Sequence, residues 1–355
     1  MSRFFSEKYR ELVPYTPGEQ PKDTKYIKLN TNESPFPPSD KAMKAAKETL
    51  SRLNLYSDPE CTALVQALAR TYEVAPEQVI CVNGSDEVLN FAFMAFCDET
   101  HPAAFPDITY GFYPVFAALN QVPYTEIPLK EDLTVDPADY LGIGKTIFLA
   151  NPNAPTGIAL PLSEIEQIIK SNPDHVVVID EAYVDFGGES ALALVPRYEN
   201  LLVVRTFSKS RSMAGARLGF AIGQEALIRD LNTVRFSTNP YNVNMVTMAA
   251  GVGCLSDPEY MIKNCEYIKE VRTYVTEKMR KLGFEVPDSS ANFIFARHPD
   301  VDGEALYQAL RSRGILVRHF SKERIKDYNR ITIGWKEDMD TFLDCVRDVS
   351  GEPSR

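Results

Sequence analysis

The sequence predicts an α/β protein in which a large domain with a mostly parallel central sheet precedes a smaller α+β domain. Two observations support this prediction. Short apolar runs alternate with helix-like stretches through the middle of the 355-residue chain, and the last third has a different rhythm. We therefore expect an N-terminal arm at 1–35, a large domain at 36–250 and a small C-terminal domain at 251–355.

The strands of the large domain are predicted from apolar, β-branched runs that do not alternate with polar residues. Runs of this kind are typical of strands that are buried on both faces. They occur at Val79–Val82, Thr146–Ala150, His175–Ile179, Leu201–Arg205 and Leu218–Ile222. Helical stretches are predicted between several of them, at Asp86–Phe96, Tyr113–Leu119 and Leu162–Lys170. Ligands of such sheets gather at the carboxyl ends of the strands.

The two ends of the chain differ from the middle. Prolines at 14, 17, 21, 35, 37 and 38 exclude a long helix, so we expect an extended arm with one helical turn near Phe4–Leu12. The C-terminal third begins with a long helical pattern, Asp257–Leu282, which Gly283 ends. Strands are predicted after it at Asn292–Ala296, Ile315–Arg318 and Ile331–Ile333, with helices at Gly303–Ser312 and from Glu337.

Composition excludes several function classes. The net charge is −11, from 38 basic and 49 acidic residues, and basic runs are lacking, so we expect no nucleic-acid partner. No apolar stretch approaches 18 residues and the first residues carry no apolar signal segment, which predicts a cytoplasmic protein with no membrane partner. The six cysteines form no CxxC pair and the four histidines are far apart, so we expect neither a disulfide scaffold nor a metal site.

One apparent nucleotide-binding motif fails on inspection. Gly144-Lys145-Thr146 would need a glycine five residues before Gly144 to form a P-loop, and that position is Asp139. The segment also leads into a predicted strand rather than a helix. GxGxxG after a strand and the GxSxG elbow of serine hydrolases are likewise missing from the sequence.

Polar residues follow four of the predicted strands, at the point where each strand ends. These segments are Asn83–Glu87, Asn151–Gly157, Asp180–Tyr183 and Thr206–Lys209. In a parallel sheet the four ends lie at one edge, so their side chains can converge.

An amine, a carboxylate, hydroxyls and a helix start at one edge match the needs of pyridoxal phosphate (PLP). Lys209 supplies the amine for a Schiff base, and Asp180 supplies a carboxylate that keeps the ring nitrogen protonated. The helix start at Gly84–Glu87, with Thr206, Ser208 and Arg217, suits the phosphate. Taken singly, these residues are more often surface lysines, helix caps and ion-pair partners, so the prediction depends on their joint occurrence.

The chain resembles the class II, fold-type I PLP-dependent aminotransferases. The matching stretches are in family order and span nearly the whole chain: Lys28–Pro35, Tyr56–Pro59, Gly84–Glu87, Thr109–Tyr113, Pro155–Gly157, Asp180–Tyr183, Arg205–Lys209, Ala214–Arg217, Asn292–Phe293 and Arg330–Gly334. Each stretch is weak evidence alone, but their order makes the set specific.

The resemblance implies a role for each matching residue. Lys209 is the Schiff-base lysine and general base, Asp180 pairs with the ring nitrogen, and Tyr183 donates to the ring hydroxyl. The remaining cofactor contacts it implies are ring stacking by Tyr110, phosphate binding by Ser85, Asp86, Thr206, Ser208 and Arg217, and a phosphate contact by Tyr56 from a second subunit, hence a homodimer. The substrate-binding residues it implies are Tyr15, Asn32, Arg318 and Arg330.

One position departs from the family pattern. The residue before Pro155-Thr156-Gly157 is usually an asparagine that binds the ring hydroxyl, and here it is Ala154. An alanine has no amide to donate, so the expected replacement is Asn153, one residue earlier.

The branch that the chain resembles most transaminates L-histidinol phosphate with 2-oxoglutarate, a step of histidine biosynthesis. The resemblance therefore implies small-molecule substrates, an amino donor and a 2-oxo acid. Three alternatives stay open at this point: an aromatic-amino-acid aminotransferase, a threonine-phosphate decarboxylase, and a non-catalytic binding protein on the same scaffold.

Overall fold

The computed structural model describes residues 2–21 and 25–350. Its strands follow one another as β1 (Ile27–Lys28), β2 (Val79–Val82), β3 (Ala103–Pro106), β4 (Tyr124–Ile127), β5 (Thr146–Ala150), β6 (Val177–Asp180), β7 (Leu201–Thr206), β8 (Gly219–Gly223), β9 (Phe293–Ala296), β10 (Ile315–Leu316), β11 (Arg318–His319) and β12 (Asn329–Thr332). Its α-helices are α1 (Asp40–Thr49), α2 (Thr62–Tyr72), α3 (Ser85–Phe96), α4 (Tyr113–Asn120), α5 (Leu162–Ser171), α6 (Glu225–Thr238), α7 (Met245–Leu255), α8 (Pro258–Lys281), α9 (Gly303–Ser312) and α10 (Lys336–Ser350).

A seven-stranded sheet forms the centre of the larger part of the described chain. Its strand order is β2-β8-β7-β6-β5-β3-β4. Only β8 runs against its two neighbours, β2 and β7, within this sheet, whereas β7, β6, β5, β3 and β4 pair in parallel. The predicted α/β fold with a mostly parallel sheet is therefore confirmed. Helices pack on both faces, as the two groups of buried apolar residues on either side of the sheet show.

The predicted strands agree closely with the observed ones. Val79–Val82 and Thr146–Ala150 match at both ends. The strand predicted at His175–Ile179 begins two residues later, at Val177. Before it, the side-chain amide of Asn200 donates to the His175 carbonyl at 3.2 Å, so that carbonyl is bound outside the sheet ladder.

A second, smaller sheet lies in the C-terminal third. Its order is β11-β12-β9, and both pairings are antiparallel. Its apolar core includes Phe293 of β9, Val275 of α8 and Phe342 of α10, all fully buried. The single strand predicted at Ile315–Arg318 is two strands, because the chain changes partner: Ile315–Leu316 pairs with β1, and Arg318–His319 pairs with β12.

The N-terminal residues lie against this C-terminal part. The helical turn predicted near Phe4–Leu12 is a short 3₁₀ turn at Glu7–Tyr9. Further along, the Glu19 carboxylate pairs with the Arg311 guanidinium of α9 at 2.5 Å, which lowers the pKa of Glu19. Residues 27–28 then form β1 beside β10. The arm is thus fixed to the C-terminal third by an ion pair and by backbone hydrogen bonds.

Helix α7 spans residue 250, where the sequence predicts a domain boundary. A side chain on Gly253 would place its Cβ 2.5 Å from the Lys41 carbonyl oxygen, so the glycine lets α7 approach α1 closely. The division at residues 35 and 250 stays a prediction. Among the described helices, none is both long and apolar enough to cross a bilayer.

Candidate active site

The carboxyl ends of four strands meet at one cavity. β2 leads to Ser85, β5 to Ala154, β6 to Asp180 and β7 to Lys209, and these strands point the same way in the sheet. The cavity has a volume of about 180 Å³. Its lining residues are Ser85, Asp86, Tyr110, Ala150, Ala154, Asp180, Ala182, Tyr183, Thr206, Ser208, Lys209 and Arg217. Sequence reasoning placed nine of these twelve in the site, the others being Ala150, Ala154 and Ala182.

Asp180 is a buried carboxylate with an unfilled hydrogen-bonding site. Its Oδ2 accepts a hydrogen bond from the Tyr113 hydroxyl at 3.2 Å, whereas its Oδ1 has no partner among the described residues. Burial, together with the nearby Asp86 carboxylate, raises the pKa of Asp180 to about 7. A cationic N–H donor would satisfy Oδ1 and favour the ionised carboxylate, so this position suits a protonated pyridine nitrogen.

Lys209 lies across the cavity as a partly desolvated amine. Its Nζ donates to the Thr31 carbonyl oxygen at 3.1 Å and lies 5.8 Å from the centre of the Tyr183 ring. Burial lowers the pKa of Lys209 to about 8, and the positive charge of Arg330 acts in the same direction. A larger share of this lysine is therefore the neutral, nucleophilic amine near neutral pH than for a surface lysine.

An anion-binding cradle forms where α3 begins. Gly84 precedes the helix with φ of +82°, and the first turn of α3 carries N–H groups without helical partners at Ser85 and Asp86, which line the cavity together with Arg217. A Cβ at Gly84 would lie 2.5 Å from Arg217 Nη2, so only glycine leaves room for the guanidinium. Arg217 lies 3.1 Å from the Asp86 carboxylate and donates weakly to Ser208 Oγ at 3.4 Å. Backbone N–H groups, hydroxyls and a guanidinium together suit a phosphate.

Tyr110 forms part of the cavity wall. Its hydroxyl donates to Asp86 Oδ1 at 2.6 Å, and its ring stands edge-on to Tyr113, with ring centres 5.7 Å apart. Burial and the Asp86 charge raise the pKa of Tyr110. These contacts hold the ring at the cavity, where the sequence places a stacking aromatic.

A larger cavity of about 820 Å³ adjoins the first and shares Lys209, Tyr110, Tyr183 and Arg217 with it. It contains the predicted substrate residues Tyr15, Asn32, Arg318 and Arg330. Arg318 and Arg330 are direct partners on β11 and β12, so their side chains share one face of that sheet.

The two arginines are held by backbone carbonyls of the arm. Arg318 Nη2 donates to the Thr16 carbonyl at 3.2 Å, and Arg330 Nη2 donates to the Asn30 carbonyl at 3.1 Å. The buried Nε of Arg330 has no partner among the described residues, and burial lowers the pKa of this guanidinium. The Tyr15 ring stacks on Phe112, with centres 4.1 Å apart. The arrangement leaves donor capacity for an anion in the larger cavity.

Asn153 does not reach the first cavity, contrary to the expectation that it replaces the missing asparagine. Its amide nitrogen donates to the Ile108 carbonyl at 3.0 Å and to Thr156 Oγ1 at 3.2 Å. Its amide oxygen accepts from Thr109 Oγ1 at 2.8 Å. Both ends of the amide therefore bind the surrounding loops, and Ala154 presents its methyl group to the cavity.

Two further residues that the sequence predicts for the site, Tyr56 and Asn32, make contacts other than the predicted ones in this chain. The Tyr56 side chain is 83% exposed and stacks on Tyr241, away from both cavities of this chain. Asn32 lines the larger cavity, but its amide binds the side chains of Tyr183 and Thr332.

Sequence reasoning missed Tyr113 as a functional residue. It is fully buried at the start of α4, and its hydroxyl is the hydrogen-bond partner of Asp180. Its ring edge also supports Tyr110. The only available signal was its place in the matching stretch Thr109–Tyr113, which suggests no role by itself.

Comparison with known proteins agrees with this geometry. The family model "Aminotransferase class I and II" matches residues 24–346. Histidinol-phosphate aminotransferase 2 of Dechloromonas aromatica is 50% identical over 99% of this chain and 100% of its own length. Histidinol-phosphate aminotransferase 1 of Bradyrhizobium diazoefficiens is 48% identical over 98% and 100%, respectively.

Solved structures share the fold. Histidinol-phosphate aminotransferase from Sinorhizobium meliloti, in complex with PLP, superposes with a TM-score of 0.90 at 23% identity and covers 99% of this chain and 98% of that one. The enzyme of the same name from Clostridium acetobutylicum has a TM-score of 0.84 at 22% identity, over 92% and 100% of the two chains. From the family model and the close relatives, the chain belongs to the class I and II aminotransferases and is a PLP-dependent aminotransferase.

Proposed function

We propose that this aminotransferase transfers the amino group of L-histidinol phosphate to 2-oxoglutarate, giving imidazole acetol phosphate and glutamate. The observation that carries the proposal is the larger cavity, which joins the Lys209 amine to the paired guanidinium groups of Arg318 and Arg330. A phosphate monoester and a carboxylate are the anions that a pair of arginines binds best. The names of the two relatives described above, both histidinol-phosphate aminotransferases, support the same donor.

The cavity residues fit PLP. The unpartnered Oδ1 of Asp180 suits the N–H of a protonated ring, and the start of α3 lies beside the Arg217 guanidinium, which suits a phosphate. We assign the phosphate to the start of α3 at Ser85 and Asp86, and to Thr206, Ser208 and Arg217. When bound, PLP supplies an aldehyde that captures the amine and a protonated ring that withdraws electrons.

The protein's own groups then carry the proton transfers. Asp180 would accept a hydrogen bond from the ring nitrogen and keep that nitrogen protonated, since its Oδ1 is buried and without a partner among the described residues. Lys209 would be the general base that takes the proton from the substrate carbon and delivers it to the cofactor carbon, and its lowered pKa suits this role. Tyr110 and Tyr183 both line the cavity, where Tyr110 would stack on the ring and Tyr183 would hydrogen-bond its hydroxyl.

The two half-reactions use one anion site. We assign the phosphate of the donor to Tyr15, Arg318 and Arg330, and the carboxylate of the acceptor to Arg330. Arg330 is suited to both anions because its Nε is unfilled and its Nη2 is fixed by the Asn30 carbonyl. A fixed guanidinium loses little freedom on binding.

We propose that the working unit is a homodimer. Leu50, Leu53, Leu55 and Tyr56 expose more than half of their surface on one short segment after α1, and Tyr241 stacks against Tyr56. Exposed apolar groups in such a cluster are typical of subunit interfaces. Tyr56 of a second copy would then complete the phosphate site. A cytoplasmic location is part of this proposal.

A substrate comparison tests the proposal. The PLP-loaded protein is mixed with L-histidinol phosphate, L-phenylalanine or L-threonine phosphate, and the cofactor spectrum is followed with and without 2-oxoglutarate. We expect the first donor to react with the highest kcat/KM and to give glutamate only when the acceptor is present. Preference for phenylalanine, or loss of carbon dioxide from threonine phosphate, would identify one of the alternative activities instead. A spectrum that no amine changes would indicate a binding protein.

A matched pair of variants tests the anion site. Arg318→Gln removes a cavity guanidinium, whereas Arg313→Gln removes one that donates to the Cys345 carbonyl outside both cavities. We expect Arg318→Gln to raise KM for histidinol phosphate about tenfold or more, as loss of a charge-assisted hydrogen bond predicts, and to change KM for phenylalanine less. Equal effects of the two variants would contradict the assignment.

A further inference from the structure

Asn32 occupies a strained, fully enclosed position between three parts of the chain. It is 1% exposed, and its φ of +55° lies in the left-handed region, which asparagine tolerates better than most residues. The Asn32 side chain reaches Tyr183, which follows β6, and Thr332, which ends β12. This position therefore connects the segment after the arm to both sheets.

The hydrogen bonds around Asn32 have a defined direction. The Asn32 backbone N–H donates to Thr332 Oγ1 at 2.9 Å, which leaves the hydroxyl hydrogen of Thr332 free to donate to Asn32 Oδ1 at 3.0 Å. Because the amide oxygen faces Thr332, the amide nitrogen faces Tyr183 and donates to its hydroxyl oxygen at 2.9 Å. Thr332 thus fixes the orientation of the Asn32 amide.

This orientation determines what Tyr183 can do. Since the Tyr183 oxygen accepts a hydrogen bond from Asn32, its own hydrogen must point elsewhere, and Tyr183 lines the first cavity. In the same cavity Ala154 offers a methyl group, and the amide of Asn153 is bound to other loops. Tyr183 is therefore the hydrogen-bond donor at this position of the cavity, where neither Ala154 nor Asn153 offers an amide.

We infer that Asn32 is a positioning residue: through its amide, held by Thr332, it directs the Tyr183 hydroxyl hydrogen toward the ring oxygen of PLP. This inference rests on the placement of PLP in the proposed function but not on which amine is the substrate. It also gives Asn32 a role other than the expected substrate contact, because the structure shows its amide bound to the side chains of Tyr183 and Thr332.

The visible spectrum of the PLP-loaded protein, titrated with pH in the absence of substrate, gives the readout. A hydrogen bond donated to the ring oxygen of PLP disperses the negative charge on that oxygen. The oxygen then attracts the proton on the adjacent cofactor nitrogen less strongly, so this proton is lost at lower pH. Removing the donor by Tyr183→Phe should therefore raise the spectral midpoint by about one pH unit, as expected for one charge-assisted hydrogen bond.

Two substitutions of Asn32 test the positioning role. Asn32→Ala removes the donor to Tyr183, and Asn32→Asp keeps the size but turns an acceptor toward Tyr183, which would draw its hydrogen away from the cavity. Both should raise the midpoint, and Asn32→Ala combined with Tyr183→Phe should give no larger shift than Tyr183→Phe alone. The matched control is Asn30→Ala, a buried asparagine of the same segment that does not contact Tyr183, and it should keep the wild-type midpoint.

Each opposite result overturns the inference in a recognisable way. If Tyr183→Phe shifts the midpoint and neither Asn32 variant does, or if the shifts add, Asn32 does not act through Tyr183. If Asn30→Ala shifts it equally, the effect is a general loosening of the segment. If Tyr183→Phe itself has no effect, the placement of Tyr183 at the ring oxygen is wrong, whatever the substrate tests show. Circular dichroism confirms that each variant is folded, and Asn32→Asp provides a second test if Asn32→Ala is not.

Discussion

The buried carboxyl of Asp180 makes the stability of the cofactor-free protein depend on pH. Its pKa is about 7 in the folded chain, against an ordinary value of 3.8. A raised pKa means that the folded protein holds this proton more tightly than the unfolded chain. The resulting stabilisation is complete below about pH 4 and is lost as the pH rises through about 7. Asp180→Asn, which stays neutral, removes this dependence.

The magnitude follows from the two pKa values. At about 1.4 kcal/mol per pH unit, the difference between 3.8 and about 7 corresponds to at most about 4 kcal/mol of unfolding free energy. At pH 8 the cofactor-free Asp180→Asn protein should therefore be more stable than the wild type by up to this amount. Below about pH 4 the two proteins should be nearly equally stable, and at pH 5 the difference should already reach about 1.5 kcal/mol.

Urea unfolding of the cofactor-free proteins, followed by circular dichroism between pH 5 and pH 8, measures this difference. The control is Asp300→Asn, which removes an exposed carboxylate and should follow the wild type. Adding PLP should reverse the order at pH 8, because a cationic ring nitrogen favours the ionised Asp180. If the wild type and Asp180→Asn lose stability in parallel as the pH rises, the carboxyl is not held neutral by burial, and the reasoning is refuted.

Three further predictions concern the same cavity and the arm. Because the pKa of Lys209 is lowered to about 8, the rate at which the cofactor-free protein captures PLP should rise with pH through about 8. Lys209→Ala should stay folded but lose both this capture and turnover. A wild-type rate in that variant would exclude Lys209 as the reactive amine. Gly84→Ala should weaken PLP binding about tenfold or more, because its Cβ would displace the Arg217 guanidinium at a position whose φ of +82° and ψ of 156° favour glycine. An unchanged affinity in equilibrium dialysis would show that the cradle is elsewhere. Glu19→Gln should increase proteolysis of the arm at residues before β1, since it removes the ion pair that joins the arm to Arg311 of α9, whereas Glu7→Gln removes a pair within the arm and should not.

Residues whose position depends on strand ends could be predicted from the sequence. Asp180, Lys209 and the start of α3 follow buried apolar runs, and a parallel sheet places such ends at one edge. Tyr113 could not be assigned, because its role depends on a carboxylate 67 positions away. Asn32 and Thr332 are 300 residues apart, and no local pattern indicates that they share hydrogen bonds.

The orientation of side chains within loops was the second feature of the site that could not be predicted from the sequence. Asn153 and Ala154 are adjacent, and the sequence alone favours the asparagine as the polar cavity residue. The loop instead turns Asn153 toward Ile108 and Thr109, whose position is set by the preceding strand, β3. Which of two neighbouring side chains faces a ligand is decided by such distant partners.

The attachment of the arm to the C-terminal third also has a mechanical consequence. The β1–β10 pairing, the Glu19–Arg311 ion pair and the carbonyl bonds to Arg318 and Arg330 all join the same two pieces of chain. Any movement of the smaller sheet would carry Arg318, Arg330 and the attached part of the arm together. The same movement would then bind the substrate anion and shield the reacting carbon from bulk water.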